Sequence, residues 1–482
     1  MPPSKAKRGS LAPWLHDEIE YYKHQVDGVR ELCRRRSFIL ADDMGLGKSL
    51  EALTVFAVDV VRGWASTMIV ICPPTLKGNW VDEIKKFTSF PCFVLDGTPD
   101  ERIVQFARYM IETDPKVLII GYEQAYLHRE QLNAFMFDVA VFDEAHYIKN
   151  PMAQRTKAVL DIKSRRSFML TGTPMENRVD ELWCLLHRVD PDKYANYYSF
   201  ISRYAVFGGY LGKAIVGVKN EAELINKVNG VMLRRLKRDV LDLPEVQYIP
   251  RKVDLYPQQR DIYREIDEDL WVTFKDATEP EAIEHAFVKV LRLRQVCGTL
   301  MPFTGEDVSS KLDLAVEDDK ELLSLGEKIV VFTQFREVQA RYLDRVGSLG
   351  VPVFSISGDT PAMKRPEVAK TWAAVEGPAI FCAMQQVAYA GLTLVAAKHG
   401  SFLDKHYNPQ KNQQAVDRLH RIGASETHSV QIREYMCRRT VETRIEQINS
   451  LKKKIFNTVI NAGNDWKKVL LQLIMEAGDD ED

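Results

Sequence analysis

Short apolar runs of strand length recur along the chain, with longer stretches of helical spacing between them. In the first half they fall at Ser37–Ala41, Thr67–Cys72, Val117–Ile120, Asp138–Phe142 and Ser167–Leu170. A second set follows at Lys328–Phe332, Val353–Ile356, Ala379–Cys382, Gly400–Asp404 and Ser429–Tyr435. Near-continuous apolar strands alternating with helices predict parallel sheets covered on both faces, so the fold class expected is α/β, with two lobes in series. Leu241-Asp242-Leu243-Pro244 interrupts a basic segment of helical spacing, and the charged stretch from Tyr256 to about Leu300 shows helical spacing without strand signals. The boundary is therefore placed at Pro244, giving lobes of residues 1–243 and 244–482, the second with an intervening helical segment. Phe207–Gly217 is rich in glycine and predicts an exposed loop or hairpin.

Composition changes this picture little. A chain of 482 residues is too long for one ordinary core, and 45% hydrophobic with 27% charged residues excludes a disordered or fibrous class. The net charge of −2 means that any nucleic-acid contact must come from a local basic groove. Seven scattered cysteines without a C-x-x-C pair fit neither a disulfide framework nor a zinc ribbon and predict a reducing compartment. The start, MPPSKAKRGS, has no apolar segment, and the apolar runs fall far short of a membrane span. A soluble intracellular protein is expected, with no membrane partner.

The chemistry concentrates in a few places. Ala41-Asp42-Asp43-Met44-Gly45-Leu46-Gly47-Lys48-Ser49 follows a predicted strand and opens a helix, the setting of a phosphate-binding loop. Gly45 and Gly47 allow backbone N–H groups to approach phosphates, Lys48 offers a charge to the β and γ oxygens, and Ser49 can ligate Mg²⁺. Asp42 stands where a generic loop of this kind has its first glycine. Val141-Phe142-Asp143-Glu144-Ala145-His146 ends another apolar strand, and its carboxylates can divide two tasks. Asp143 would hold Mg²⁺ through its water shell and Glu144 would orient or deprotonate an attacking water. His146 has no partner at a metal-ligand spacing. Leu170-Thr171-Gly172-Thr173-Pro174 is a hydroxyl-bearing turn after a third strand, able to sense a γ-phosphate. In the second half, Arg418 and Arg421 are three apart on one face of a predicted helix, suited to reach across a cleft to a γ-phosphate. Each pattern alone has a bland reading as a glycine turn, a solvated acidic turn or a solvated basic face. Their joint occurrence along one chain argues for function.

Taken in order, DDMGLGKS, ICPPTLKGNW, FDEAHYIKN, LTGTP, VMLRRLKRDV, KIVVFTQF, HYNPQ and QAVDRLHRIG resemble the Snf2 family of superfamily 2 DNA translocases, from about Tyr21 to Gly423. The third and last motifs differ from those of DEAH-box RNA helicases. The resemblance implies two tandem RecA-like lobes, each a mainly parallel sheet flanked by helices, and an ATP- and Mg²⁺-dependent hydrolase that tracks along double-stranded DNA as a monomeric motor. Protein partners would supply any further specificity. The ATP set implied is Gln25, as the adenine-reading amide, with Met44, Gly45, Leu46, Gly47, Lys48, Ser49 and Gly391. Pro73, Pro74, Thr75, Lys77, Asn79 and Trp80, with Thr333, Gln334, Ser357, Gly358 and Asp359, resemble loops that line the DNA track and touch phosphates. Arg234, Arg235, Lys237 and Arg238 resemble a brace between lobes or a phosphate contact. Only Gly391 remains of the glycines usual in the motif at Val387–Leu394, and with Phe200-Ile201-Ser202-Arg203-Tyr204 this ending resembles the branch that includes annealing helicases. The rival readings are a single-strand or RNA helicase of the same superfamily and a catalytically silent DNA-binding scaffold.

Overall fold

A computed structural model describes residues 14–175, 178–208, 214–242, 244–275, 280–388, 392–421 and 429–446. The chain divides into two compact units, Met1–Asp242 and Leu243–Asp482. Among the described residues no helix is long and apolar enough to cross a membrane, and all seven cysteines are free.

The first unit is built on strands β1 (Ser37–Leu40), β2 (Thr67–Cys72), β3 (Cys92–Val94), β4 (Lys116–Gly121), β5 (Phe137–Asp143) and β6 (Ser164–Leu170), joined by the two-residue β9 (Met232–Leu233). Their order is β3-β4-β2-β5-β6-β1-β9, and every pairing is parallel. The central strands are apolar at consecutive positions because both faces are covered: Ile39, Ile69, Ile71, Phe142 and Met169 join one core cluster, while the alternate residues Phe38, Leu40, Met68 and Val70 are buried as well. Each such side chain contributes about 1.5–3 kcal/mol by leaving water. Phe142→Ala would therefore cost about 3–5 kcal/mol. Three helices matter below: α1 (Lys23–Arg34), α2 (Lys48–Val61) and α3 (Lys77–Phe87). The glycine-rich segment forms an antiparallel hairpin of β7 (Ala205–Gly208) and β8 (Ala214–Val218), its tip lying outside the described residues.

The second unit repeats the plan with β10 (Gln247–Val253), β11 (Ile329–Thr333), β12 (Val353–Ile356), β13 (Ile380–Met384), β14 (His399–Phe402) and β15 (Gln431–Cys437), ordered β10-β15-β14-β11-β13-β12 and again wholly parallel. Val330, Phe332 and Phe381 face one core cluster and Ile329, Val331 and Ile380 the other, the period of two expected of a sheet buried on both sides. The helical segment between β10 and β11 carries helices Pro257–Lys275 and Pro280–Gly298, whose Tyr263, Phe287, Val290 and Leu293 pack with Val441 and Ile445 beyond β15.

The expected α/β class with two mainly parallel sheets holds, and each of the ten predicted runs overlaps a strand. Three strands were not anticipated: β3, β9 and β10. The segment Val231–Val240 is also not a single helix, since β9 occupies Met232–Leu233 and only Lys237–Val240 is helical.

Candidate active site

After β1 the chain turns through Ala41–Gly47 onto the N-terminus of α2. Gly45 and Gly47 take φ of 83° and 88°, the left-handed region that glycine enters without penalty. A Cβ on Gly47 would also lie 2.2 Å from Gln25 Nε2. The N-terminus of a fourteen-residue helix offers unpaired N–H groups and the positive end of its dipole, which together favour an anion. Met44 and Leu46 send their side chains into the core, so what they can offer a ligand is backbone. Lys48 Nζ donates to the carbonyl oxygens of Asp42 at 2.7 Å and Asp43 at 3.2 Å, while Ser49, half-buried, follows it on the helix.

Gln25 lies beside this loop, but its amide is engaged there: Nε2 donates to Leu46 O at 3.1 Å and Oε1 accepts the Tyr22 N–H at 3.0 Å. His24 is within 3.0 Å of the same carbonyl through Nε2, and burial holds its pKa below the usual histidine value. Asp42 is fully buried and is gripped by Arg235. That contact accounts for an acid where a glycine was expected. Of the basic run, Arg235 and Lys237 turn inward, whereas Arg234 and Arg238 are exposed.

Asp143 and Glu144 close β5, next to β6 and one strand removed from β1. Asp143 accepts from the Trp80 indole N–H at 2.9 Å through Oδ2 and from the Glu144 N–H at 3.0 Å through Oδ1, and its carbonyl accepts the Tyr122 hydroxyl at 2.8 Å. Burial first, and the charge of Glu144 second, push the Asp143 carboxyl up to about 7, against the opposing pull of Trp80 and Lys48. Glu144 adopts φ 49°, a conformation that costs a non-glycine residue about 1–3 kcal/mol. Its Oε2 lies 3.2 Å from His146 Nδ1. The hydroxyl of Ser49 and the carboxylate of Asp143 are oxygen donors of the kind that Mg²⁺ takes. After β6, Thr171 donates its N–H to Leu40 O at 3.1 Å, and a Cβ on Gly172 would stand 3.1 Å from Met44 Cγ, so the hydroxyl-bearing turn packs on the phosphate loop.

In the second unit the structure corrects the placement of the arginines. The helix expected to carry both spans Pro409–Val416 and ends there. Arg418 and Arg421 lie on the turn beyond it, because the N–H groups of Arg418 and Leu419 reach back only three residues, to Ala415 O at 3.1 Å and Val416 O at 3.0 Å. Arg418 is buried and its carbonyl accepts the Leu394 N–H at 2.9 Å; Arg421 Nη1 donates to Thr393 Oγ1 at 3.2 Å. The arginine segment is thus joined to the end of the motif at Val387–Leu394. Gly391 itself lies outside the described residues.

Several candidate DNA contacts need correction too. Lys77 is 1% exposed and donates to Leu95 O at 2.8 Å, to Asp96 Oδ1 at 3.1 Å and to Gln124, so its charge is spent inside the unit. Trp80 is 2% exposed and serves Asp143. Thr333 is fully buried with its hydroxyl donating to Asp404, whose other oxygen accepts the Gln334 N–H at 2.8 Å. Pro74, Gly358 and Asp359 are exposed, and Thr75, Asn79, Gln334 and Ser357 are half-buried.

Two family descriptions match the chain: the SNF2-related domain over residues 21–300 and the helicase conserved C-terminal domain over residues 315–423. Among relatives, the human SWI/SNF-related matrix-associated actin-dependent regulator of chromatin subfamily A member 1 is 27% identical, across 96% of this chain and 44% of its own length. The putative ATP-dependent helicase/translocase YwqA of Bacillus subtilis is 26% identical, across 88% of this chain and 46% of its own. The chain spans less than half the length of the curated relatives it matches. A solved structure, the Sulfolobus solfataricus SWI2/SNF2 ATPase core in complex with dsDNA, aligns with 98% of this chain and 96% of its own at 24% identity and a TM-score of 0.43. With a glycine-bent loop at the start of α2 and an Asp-Glu strand end in the first unit, and the SNF2-related description covering more than half of the chain's length, the chain belongs to the SNF2-related family.

Proposed function

We propose that this chain hydrolyses ATP with Mg²⁺ and uses the cycle to move along double-stranded DNA without separating the strands. The observation that carries the ATPase part is the pair of left-handed glycines that seat Lys48 and Ser49 at the start of α2, one strand away from Asp143-Glu144. Loop N–H groups and Lys48 would bind the β and γ phosphates. Ser49 and Asp143 would hold Mg²⁺, which supplies charge neutralisation of the phosphates when bound. Glu144, directly after the strand end, would take the proton of the attacking water or orient it. Arg418 and Arg421 would counter the negative charge that grows on the transferred phosphoryl group.

The DNA part is supported by family membership and by the motif order, and the contacts assigned to Pro74, Thr75, Asn79, Gln334, Ser357 and Gly358 would reach phosphates and leave base edges unread. Such binding weakens with salt and ignores sequence. The test is ATP turnover with duplex DNA, single-stranded DNA or RNA at equal nucleotide concentration, beside a strand-separation assay on a blunt duplex. Stimulation by duplex DNA without unwinding is expected. Stimulation confined to single strands or RNA, or robust unwinding, would replace this reading with a strand-separating helicase.

A further inference from the structure

We infer that Arg235 is a positioning residue for the phosphate loop, and that nucleotide affinity is governed by the segment that runs from β9 towards the end of the first unit. The inference rests on the reading that residues 41–49 bind ATP. Arg235 Nε donates to both Asp42 oxygens at 3.0 Å, and its backbone N–H donates to Asp42 Oδ1 at 2.9 Å. Nη2 reaches Glu51 Oε1 at 2.9 Å and Oε2 at 3.1 Å, and Nη1 donates to the His24 carbonyl. One guanidinium therefore joins the loop, α2 and α1. The backbone continues the seam: the Ala41 N–H donates to Leu233 O at 2.7 Å, the Asp43 N–H to Arg235 O at 3.0 Å, and the Lys237 N–H to Asp43 Oδ2 at 3.0 Å.

This seam fixes the same two residues, Asp42 and Asp43, whose carbonyls hold the Lys48 ammonium. To meet a phosphate, Lys48 must exchange those carbonyls for phosphate oxygens. The position of the Asp42 and Asp43 peptides thus sets the starting point of that exchange, and Arg235 sets the position of the peptides. A defect in the seam changes how well ATP is bound and leaves the chemical step at saturation nearly intact, because Glu144 and Asp143 belong to another strand.

Arg166 supplies a matched comparison. Its guanidinium pairs with Asp59 of α2 and donates to the carbonyls of Leu32 and Arg35, tying the same two helices to β6 at the end remote from the loop. Lysine keeps the charge at either position but loses the planar fork. We expect Arg235→Lys to raise the dissociation constant of a fluorescent ATP analogue, and KM for ATP, by about tenfold or more, with kcat at saturating ATP within about threefold of wild type. Arg166→Lys should lower Tm and leave both affinities within about twofold of wild type. Unchanged nucleotide affinity in Arg235→Lys, or an equal loss in Arg166→Lys, would show that Arg235 is only a prop of the fold. If Arg235→Lys does not fold, Asp42→Asn carries the test, since it keeps the shape and loses the charge. A normal ATP affinity there would overturn the inference. Failure of the wild-type protein to bind the analogue would sink the ATP reading itself and this inference with it, whereas wild-type binding with unaltered variants sinks this inference alone.

Discussion

Residues 41–49 of the first unit are fixed from several sides by buried groups, with Arg235, Gln25 and Gly172 all against the loop, whereas Arg418 and Arg421 of the second sit on a turn past a helix end, tied to Leu394 and Thr393. The difference is the one expected if the loop binds ground-state phosphates and the arginines meet charge that develops later. Ground-state phosphates need a surface already shaped for them, because every loose peptide would have to be ordered at the expense of affinity. Charge that develops only in the transition state is best met by groups whose contribution appears late, since binding substrate and transition state equally does not raise turnover at saturation. On that reading the loop would carry affinity, and Arg418 and Arg421, like Glu144 of the first unit, would carry rate.

That division can be broken most severely at Lys48. Lys48→Ala should abolish ATP turnover and weaken nucleotide binding, measured by steady-state hydrolysis and analogue titration; wild-type turnover would remove the phosphate loop from the account. Glu144→Gln should keep ATP binding while slowing turnover by about two to four orders of magnitude, the scale for loss of a positioned base. Parallel loss of binding would make Glu144 a structural residue. Trp80→Phe removes the indole N–H that Asp143 accepts and should raise the Mg²⁺ concentration for half-maximal turnover by about 10- to 100-fold while duplex DNA affinity is retained. Loss of DNA affinity without a change in Mg²⁺ demand would return Trp80 to the DNA track.

A smaller effect is expected in the core of the second unit, read by pH. Asp319 is buried in the second unit, its carboxyl pushed up to about 7 chiefly by desolvation, with Tyr342 donating to it at 2.6 Å. A folded value above the unfolded one means that the folded state holds the proton more tightly, so this stabilisation is present at low pH and is lost as pH rises through about 7. Asparagine cannot ionise and still accepts from Tyr342. Between pH 5.5 and pH 8 the Tm of Asp319→Asn should shift relative to wild type in the variant's favour by about 2–4 °C. A pH-independent difference would show that Asp319 does not titrate there.

The sequence made the buried parallel strands legible because both faces are apolar, and it made the loop legible because glycine spacing and strand context coincide. The missed strands lack those signals. β3 is half-buried throughout, β9 has two residues, and β10 is an edge strand whose Arg251 and Lys252 read as solvated charge. Side-chain direction was the harder quantity. Nothing in KGNW says that Lys77 and Trp80 turn inward, and a run of spaced cations does not say that Arg235 and Lys237 are interior while Arg234 and Arg238 are not. One signal was available: Asp42 in place of a loop glycine, buried after an apolar strand, demands a cation, and the basic run was the place to seek it. The helix expected to hold Arg418 and Arg421 ended early because turn hydrogen bonds after Val416 competed with its continuation, which local spacing does not reveal.

The most direct test of the division between affinity and rate is to measure, in Arg418→Ala and Arg421→Ala, both the dissociation constant for ATP and turnover with and without saturating duplex DNA. Near-normal ATP binding is expected with DNA-stimulated turnover reduced about 10³-fold, and poor rescue by Arg421→Lys because a point charge does not reproduce the planar fork. Full stimulation by duplex DNA in both alanine variants would contradict it.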